Sequence, residues 1–193
     1  VLKINSVADL QVGDVGFYTI AGKVGGFVSI GQWLIDFVNL LRGKDTEQSW
    51  FTHTFIVVEV SATGSVAIVE AMPRGARAVH LTGVDRIGRG YGWARLPLSD
   101  AQQHNVGAVW REYIGTPYSF LDYLSLALLH AGLPRRFTAR RVTDSGHMIC
   151  SQLVDTILCR AGYHLFADGR LPQDVTPGAL FRRAGAYGDV MWW

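Results

Sequence analysis

The sequence predicts an α+β domain, an antiparallel sheet packed against helices. Three observations predict it. Two β-branched, apolar segments, 51–60 (FTHTFIVVEV) and 65–71 (SVAIVEA), flank the turn signal Ser61-Ala62-Thr63-Gly64, a hairpin pattern. Helical periodicity dominates the second half of the chain. The order helix, hairpin-rich sheet, then helices keeps the two element types apart rather than alternating them.

Each element has a local reason. Gly13-Asp14 turns the chain into a strand ending near residue 20. Phe27, Ile30, Leu34, Phe37, Val38 and Leu41 recur at helical spacing before Gly43, so 27–42 reads as an amphipathic helix. A polar loop, 43–50, follows. The continuous apolar centre of 51–60 suits a strand buried on both faces. Pro73 and Gly75 end the second hairpin strand, and 78–81 and 92–97 read as two more. Ser99 is an N-cap for a helix over 101–113, which Gly115-Thr116-Pro117 breaks. Residues 119–131 read as a second apolar helix and 132–146 as a basic loop. Met148 to Arg160 carries helical spacing up to Ala161-Gly162, and Thr176-Pro177-Gly178 begins a short final helix.

Composition narrows the function classes. A chain of 193 residues is one domain's worth. Hydrophobic residues make up 49% and charged residues 18%, which excludes a disordered tail. The net charge of +2 is too small to make nucleic acid the default partner. Two cysteines exclude a disulfide-stapled mini-domain and a four-cysteine zinc site. The first residues do not read as a secretory signal, and 24–41, interrupted by Asp36 and three glycines, does not read as a membrane span. The sequence leaves the setting open: cytoplasmic, or released without a signal sequence. Charge is uneven: residues 1–70 carry net −3 and 71–193 net +5, and fifteen of the eighteen basic residues are Arg. Arg74, Arg77, Arg86, Arg89 and Arg95 form one cluster, and Arg135, Arg136, Arg140 and Arg141 another. Such clusters are either a solvated face or a site for carboxylate or phosphate.

One set of residues carries chemistry. Cys150 falls in the first turn of the helix that begins near Met148. Unpaired backbone N–H groups and the helix dipole favour an anion there, which is the nucleophilic thiolate, and the same groups can hold an oxyanion. A core thiol is the alternative reading. Cys159 lies nine residues on, roughly 13 Å along a helix, too far for a disulfide, and reads as a buried thiol. Among the six histidines, His53 sits inside an apolar strand, where an imidazole is either a satisfied core residue or part of a site. Glu70 ends the partner strand. A 51–60/65–71 hairpin makes His53 and Glu70 cross-strand neighbours, and a carboxylate there would fix the imidazole tautomer.

The order strand-His, strand-Glu and late helix-start Cys resembles the permuted branch of the NlpC-type papain-like cysteine hydrolases. This branch includes bacterial permuted amidase-like proteins and the lecithin:retinol acyltransferase group. The resemblance rests on Gly13-Asp14-Val15-Gly16-Phe17, Thr52-His53-Thr54-Phe55, Val69-Glu70-Ala71-Met72-Pro73, Gly115-Thr116-Pro117-Tyr118, Ile149-Cys150-Ser151-Gln152-Leu153-Val154, Pro172-Gln173-Asp174-Val175-Thr176-Pro177 and Leu180-Phe181. Each motif is short; the ordered set spans 12–181. It implies a circularly permuted papain-like fold in one domain, with helical additions near 24–42 and 119–147. By position it makes Cys150 the nucleophile, His53 the general base, Glu70 the orienting residue and Tyr118 a hydroxyl beside the nucleophile. It implies cleavage of an amide bond in peptidoglycan or another peptide through a thioester, with no cofactor and no metal. Two alternatives stay open. A lipid acyltransferase or amidase would use the same site with 27–41 and 119–129 as an acyl-binding wall. A catalytically silent module would use the groove for binding alone.

Overall fold

The computed structural model describes residues 6–19, 51–81, 91–118 and 148–187. Five strands form one antiparallel sheet: β1 (Val15–Tyr18), β2 (His53–Val60), β3 (Val66–Met72), β4 (Gly75–Leu81) and β5 (Tyr91–Ala94). Their spatial order is β4-β3-β2-β1-β5, so the first strand of the chain lies inside the sheet. Helices α1 (Asp100–Val109), α2 (Cys150–Arg160) and α3 (Pro177–Tyr187) follow. The protein is therefore α+β, with the sheet packed against helices.

The pleat explains which residues face which layer. Successive strand residues point to opposite faces. On one face Val15, Phe17, Ile56, Val58, Val69, Ala71 and Ala94 meet Leu153, Val154, Ile157 and Leu158 of α2, together with Val106 of α1 and Leu180 and Ala184 of α3. On the other, Phe55, Val57, Val66, Ile68, Leu81 and Trp93 pack with Val7 and Leu10 of the N-terminal segment. Phe17 anchors the first layer with an edge-on contact to Phe181 at 5.1 Å. Gly16 pairs with Phe55 across β1 and β2, and the Phe55 ring fills the space that a Cβ at Gly16 would need, with ring atoms at 2.2 Å.

Several boundaries differ from the sequence reading. β4 begins at Gly75, three residues earlier than expected, because Ala76 is held to the following loop. Its N–H donates to Thr116 O and its carbonyl accepts from Gly115 N, both at 2.8 Å. Gly75 has φ +108°, the left-handed region open to glycine, and a Cβ there would stand 3.2 Å from the Thr116 carbonyl oxygen. β5 stops at Ala94 rather than 97, where Leu98 N turns back to Leu96 O. Ser99 caps α1 as expected, accepting from Gln102 N while the Gln102 side chain returns to Ser99 N. The last turn of the expected helix is a tighter 3₁₀ turn, Trp110–Tyr113. α2 starts at Cys150 rather than Met148, since Met148 N bonds Pro117 O. β2 is buried along most of its length, but Glu59 and Val60 are exposed. The final helix is eleven residues long rather than short. The expected helices over 27–42 and 119–131, the loops 43–50 and 132–146, and the aromatic tail lie outside the described residues. No helix among the described residues is long and apolar enough to cross a membrane.

Candidate active site

His53 is the first residue of β2, paired with Tyr18 at the last residue of β1. Direct opposition of His53 and Glu70 is not what the register gives: Glu70 pairs with Phe55. A step of two residues along β2 returns to the same face, so His53 is the diagonal neighbour of Glu70. The Glu side chain spans that diagonal. Glu70 Oε2 lies 3.2 Å from His53 Nε2, and both side chains are buried. The Tyr18 ring and the imidazole meet in a T-shaped contact, with centroids 4.9 Å apart.

Cys150 approaches from the other element, near enough that its charge and hydrogen-bonding capacity act on the His53 imidazole. With Nε2 directed at Glu70, Nδ1 is the ring nitrogen left for the thiol. Burial by itself pushes His53 toward the neutral form. The charge and hydrogen bond of Cys150, with those of Glu70, outweigh burial and lift it from the ordinary 6.5 to about 9. The imidazole is therefore held as imidazolium at neutral pH, with Cys150 beside it.

The start of α2 is tied down on several sides. Ile149 N donates to Gln152 Oε1 at 3.1 Å, and Gln152 Nε2 donates to Gln173 O at 2.8 Å. Ser151 Oγ donates to Val175 O at 2.7 Å. The first intrahelical bond runs from Leu153 N to Ile149 O, so the N–H groups of Cys150, Ser151 and Gln152 precede it at the positive end of the helix dipole. Tyr118 pairs with Met148 in an isolated parallel bridge, two residues ahead of the nucleophile candidate. Burial, then the charge of Cys150, push the Tyr118 hydroxyl up, so it stays protonated and able to donate. The four site residues read from the sequence are thus brought together.

Three features escaped the sequence reading. Arg77 pairs directly with Glu70 in the β3–β4 register, and its Nε and Nη2 donate to Glu70 Oε1 at 3.0 and 2.7 Å. The missing signal is the early start of β4: with the strand begun at residue 78, Arg77 has no register. From the sequence Asp14 reads as part of a turn and of a motif, with no partner indicated. It is buried and takes Arg95 Nε and Nη2 at 2.9 and 2.7 Å, plus Gln11 N at 2.8 Å. The first arginine cluster is therefore not one open patch, because Arg77 and Arg95 are spent on internal carboxylates. Gln152 and Ser151, noted only as motif letters, brace the helix start.

Cys159 is partly rather than fully buried. Burial and the neighbouring Asp155, which accepts from its Sγ at 3.8 Å, push its thiol up to about 11. The two cysteines thus sit in opposite electrostatic settings. His80, His104 and His164 are exposed, and His130, His147, Arg86, Arg89 and the second arginine cluster lie outside the described residues. Two open clefts, about 480 Å³ beside Phe166 and Arg182 and about 610 Å³ between α1 and the end of β2, are lined by none of the four site residues. Chemistry rather than cavity size marks the site.

Comparison with known proteins adds to the fold. No family model matches the chain, and no curated protein matches. Among solved structures, it is similar to the crystal structure of metalloprotein YiiX from Escherichia coli O157:H7, DUF1105. The TM-score is 0.55 and the identity 18%, over 89% of this chain and 91% of that one. At that identity the likeness concerns the fold.

Proposed function

We propose that this protein is a cysteine hydrolase of the circularly permuted NlpC-type papain-like kind, cleaving an amide bond in peptidoglycan or another peptide. The observation that carries the reading is the buried chain of contacts from Cys150 through His53 to Glu70, with Cys150 at a helix start. The motif order along the sequence supports the same fold and the same bond class.

In this reading the Cys150 thiolate attacks the carbonyl carbon and forms a C–S bond. The carbonyl oxygen becomes an oxyanion, held by N–H groups at the start of α2 and by the Tyr118 hydroxyl. The tetrahedral intermediate collapses, the C–N bond breaks, and the His53 imidazolium gives its proton to the departing amine. A water then loses a proton to His53 and attacks the thioester carbonyl. The C–S bond breaks, the acid product leaves, and the sulfur with its imidazolium is restored. Glu70 keeps the ring aligned throughout.

The metal of the structural neighbour does not transfer to these residues. Glu70 Oε1 is held by the Arg77 guanidinium, and Glu70 Oε2 by His53 Nε2. A cation there would face an arginine, and among the described residues no group of three or more His, Cys, Asp or Glu is arranged to hold a metal. No step is routed through one.

The test compares the wild type with Cys150→Ala on peptidoglycan fragments and on acyl lipids, with mass spectrometry for a covalent acyl-enzyme. Peptide-bond cleavage should fall on the order of a thousandfold or more in the variant. Equal activity in both proteins would sink the reading. Turnover of acyl lipids alone would replace it with the lipid acyltransferase or amidase.

A further inference from the structure

Arg77 belongs to the basic cluster that the sequence leaves without a role, and the structure gives it one. It stands opposite Glu70 in the antiparallel β3–β4 register, so the two side chains leave the sheet on the same face. Two of its N–H groups converge on one carboxylate oxygen, Oε1, at 3.0 and 2.7 Å, while the other oxygen, Oε2, faces His53. Glu70 is fully buried, whereas the Arg77 side chain is 54% exposed. A guanidinium stays charged at any working pH. Arg77 therefore brings a permanent charge from the solvent side to a carboxylate with none of its own surface in water. β4 holds it there because Ala76 is bonded on both backbone groups to the 115–116 loop, next to Tyr118.

We propose that Arg77 is a positioning residue for the Cys150–His53 pair: by holding Glu70 ionised and aimed, it sets which nitrogen of His53 carries the proton. The inference rests on the hydrolase reading of the site. The chemistry is one of tautomers. An ionised Glu70 accepts from Nε2–H, so whenever the ring is neutral Nδ1 is the acceptor facing the thiol, and Nδ1 takes the proton when the imidazolium forms. A protonated Glu70 would donate to Nε2 instead. The neutral ring would then carry its proton on Nδ1 and could not take one from Cys150. Burial drives a carboxylate toward the protonated form, and a charge-assisted pair of N–H bonds opposes that. Arg77 thus acts on the thiol two residues removed, without touching substrate.

The test reads the imidazole and the thiol in the folded wild type, Arg77→Met and Arg77→Lys. Nitrogen-15 NMR of His53 distinguishes the two tautomers and follows its protonation. Iodoacetamide labelling of Cys150, with Cys159 in the same molecule as reference, follows the thiol. In Arg77→Met the neutral ring should move to the Nδ1–H form, the imidazolium should be lost at lower pH, and Cys150 labelling at pH 7 should fall about tenfold or more. Arg77→Lys returns a charge without the two-pronged donor and should recover a large part of both signals. Should Arg77→Met be unstable, Arg77→Gln replaces it: loss of both signals with Gln and recovery of a large part with Lys would carry the same meaning. An unchanged tautomer and an unchanged labelling profile in Arg77→Met would overturn the proposal and leave Arg77 as a surface ion pair. A wild-type Cys150 no faster than Cys159 would sink the hydrolase reading, while the His53 spectrum would still decide the role of Arg77.

Discussion

The charge state of His53 should be visible in the stability of the protein. The structure sets two effects against each other. Burial favours the neutral ring, and Cys150 with Glu70 favours the imidazolium and prevails, lifting the group from 6.5 to about 9. A folded-state value above the unfolded one means that the folded protein binds the proton more tightly. The resulting stability is fully present below about pH 6.5 and is lost as the pH rises through about 9. The lift corresponds to roughly 3 kcal/mol across that window. The perturbation is His53→Gln, and the assay is urea unfolding of both proteins between pH 6 and 10. Below 6.5 the difference between them should be flat. From there to about 9 the wild type should lose on the order of 3 kcal/mol more than the variant. NMR titration of the ring assigns the slope to His53 rather than to the thiols. Parallel curves would refute the imidazolium. A wild type that instead gains stability as the pH rises toward 6.5, and is flat above it, would mean that burial wins and the ring is held neutral.

Two further outcomes test the frame around the site. Gly16→Ala places a methyl group 2.2 Å from the Phe55 ring inside the sheet, and it should cost about 1–3 kcal/mol, read as a shift of the urea midpoint without a change of slope. Arg95→Met leaves Asp14 buried without its two-pronged partner. It should destabilise by about 3–5 kcal/mol, and by less when Asp14 is also changed to Asn, in a double-mutant cycle.

Much of the frame is readable locally. Gly64 turns the β2–β3 hairpin where Ser61-Ala62-Thr63-Gly64 said it would, and Ser99 caps α1 through Gln102. These signals lie within a few residues of what they control. Boundaries that depend on partners distant in sequence are not readable in this way. β4 reaches back to Gly75 because the 115–116 loop supplies hydrogen bonds, and α2 is shortened because Pro117 takes Met148.

The candidate site divides along the same line. By itself the sequence determined the strand that holds His53, the partner strand that holds Glu70, and a helix with Cys150 near its start, because periodicity and turn residues are local properties. It left the second-half arginines as either a solvated face or an anion site. Tertiary structure decided the rest: the diagonal His53–Glu70 register, the approach of Cys150 to His53 from another element, and the assignment of Arg77 to Glu70 and Arg95 to Asp14. It also separated the two cysteines, Cys150 beside an imidazolium and Cys159 beside a carboxylate. The physical reason is that a charge's role depends on what lies within a few ångströms in a medium that water does not screen. Segments 81 residues apart, such as those of Asp14 and Arg95, become neighbours only when the sheet closes.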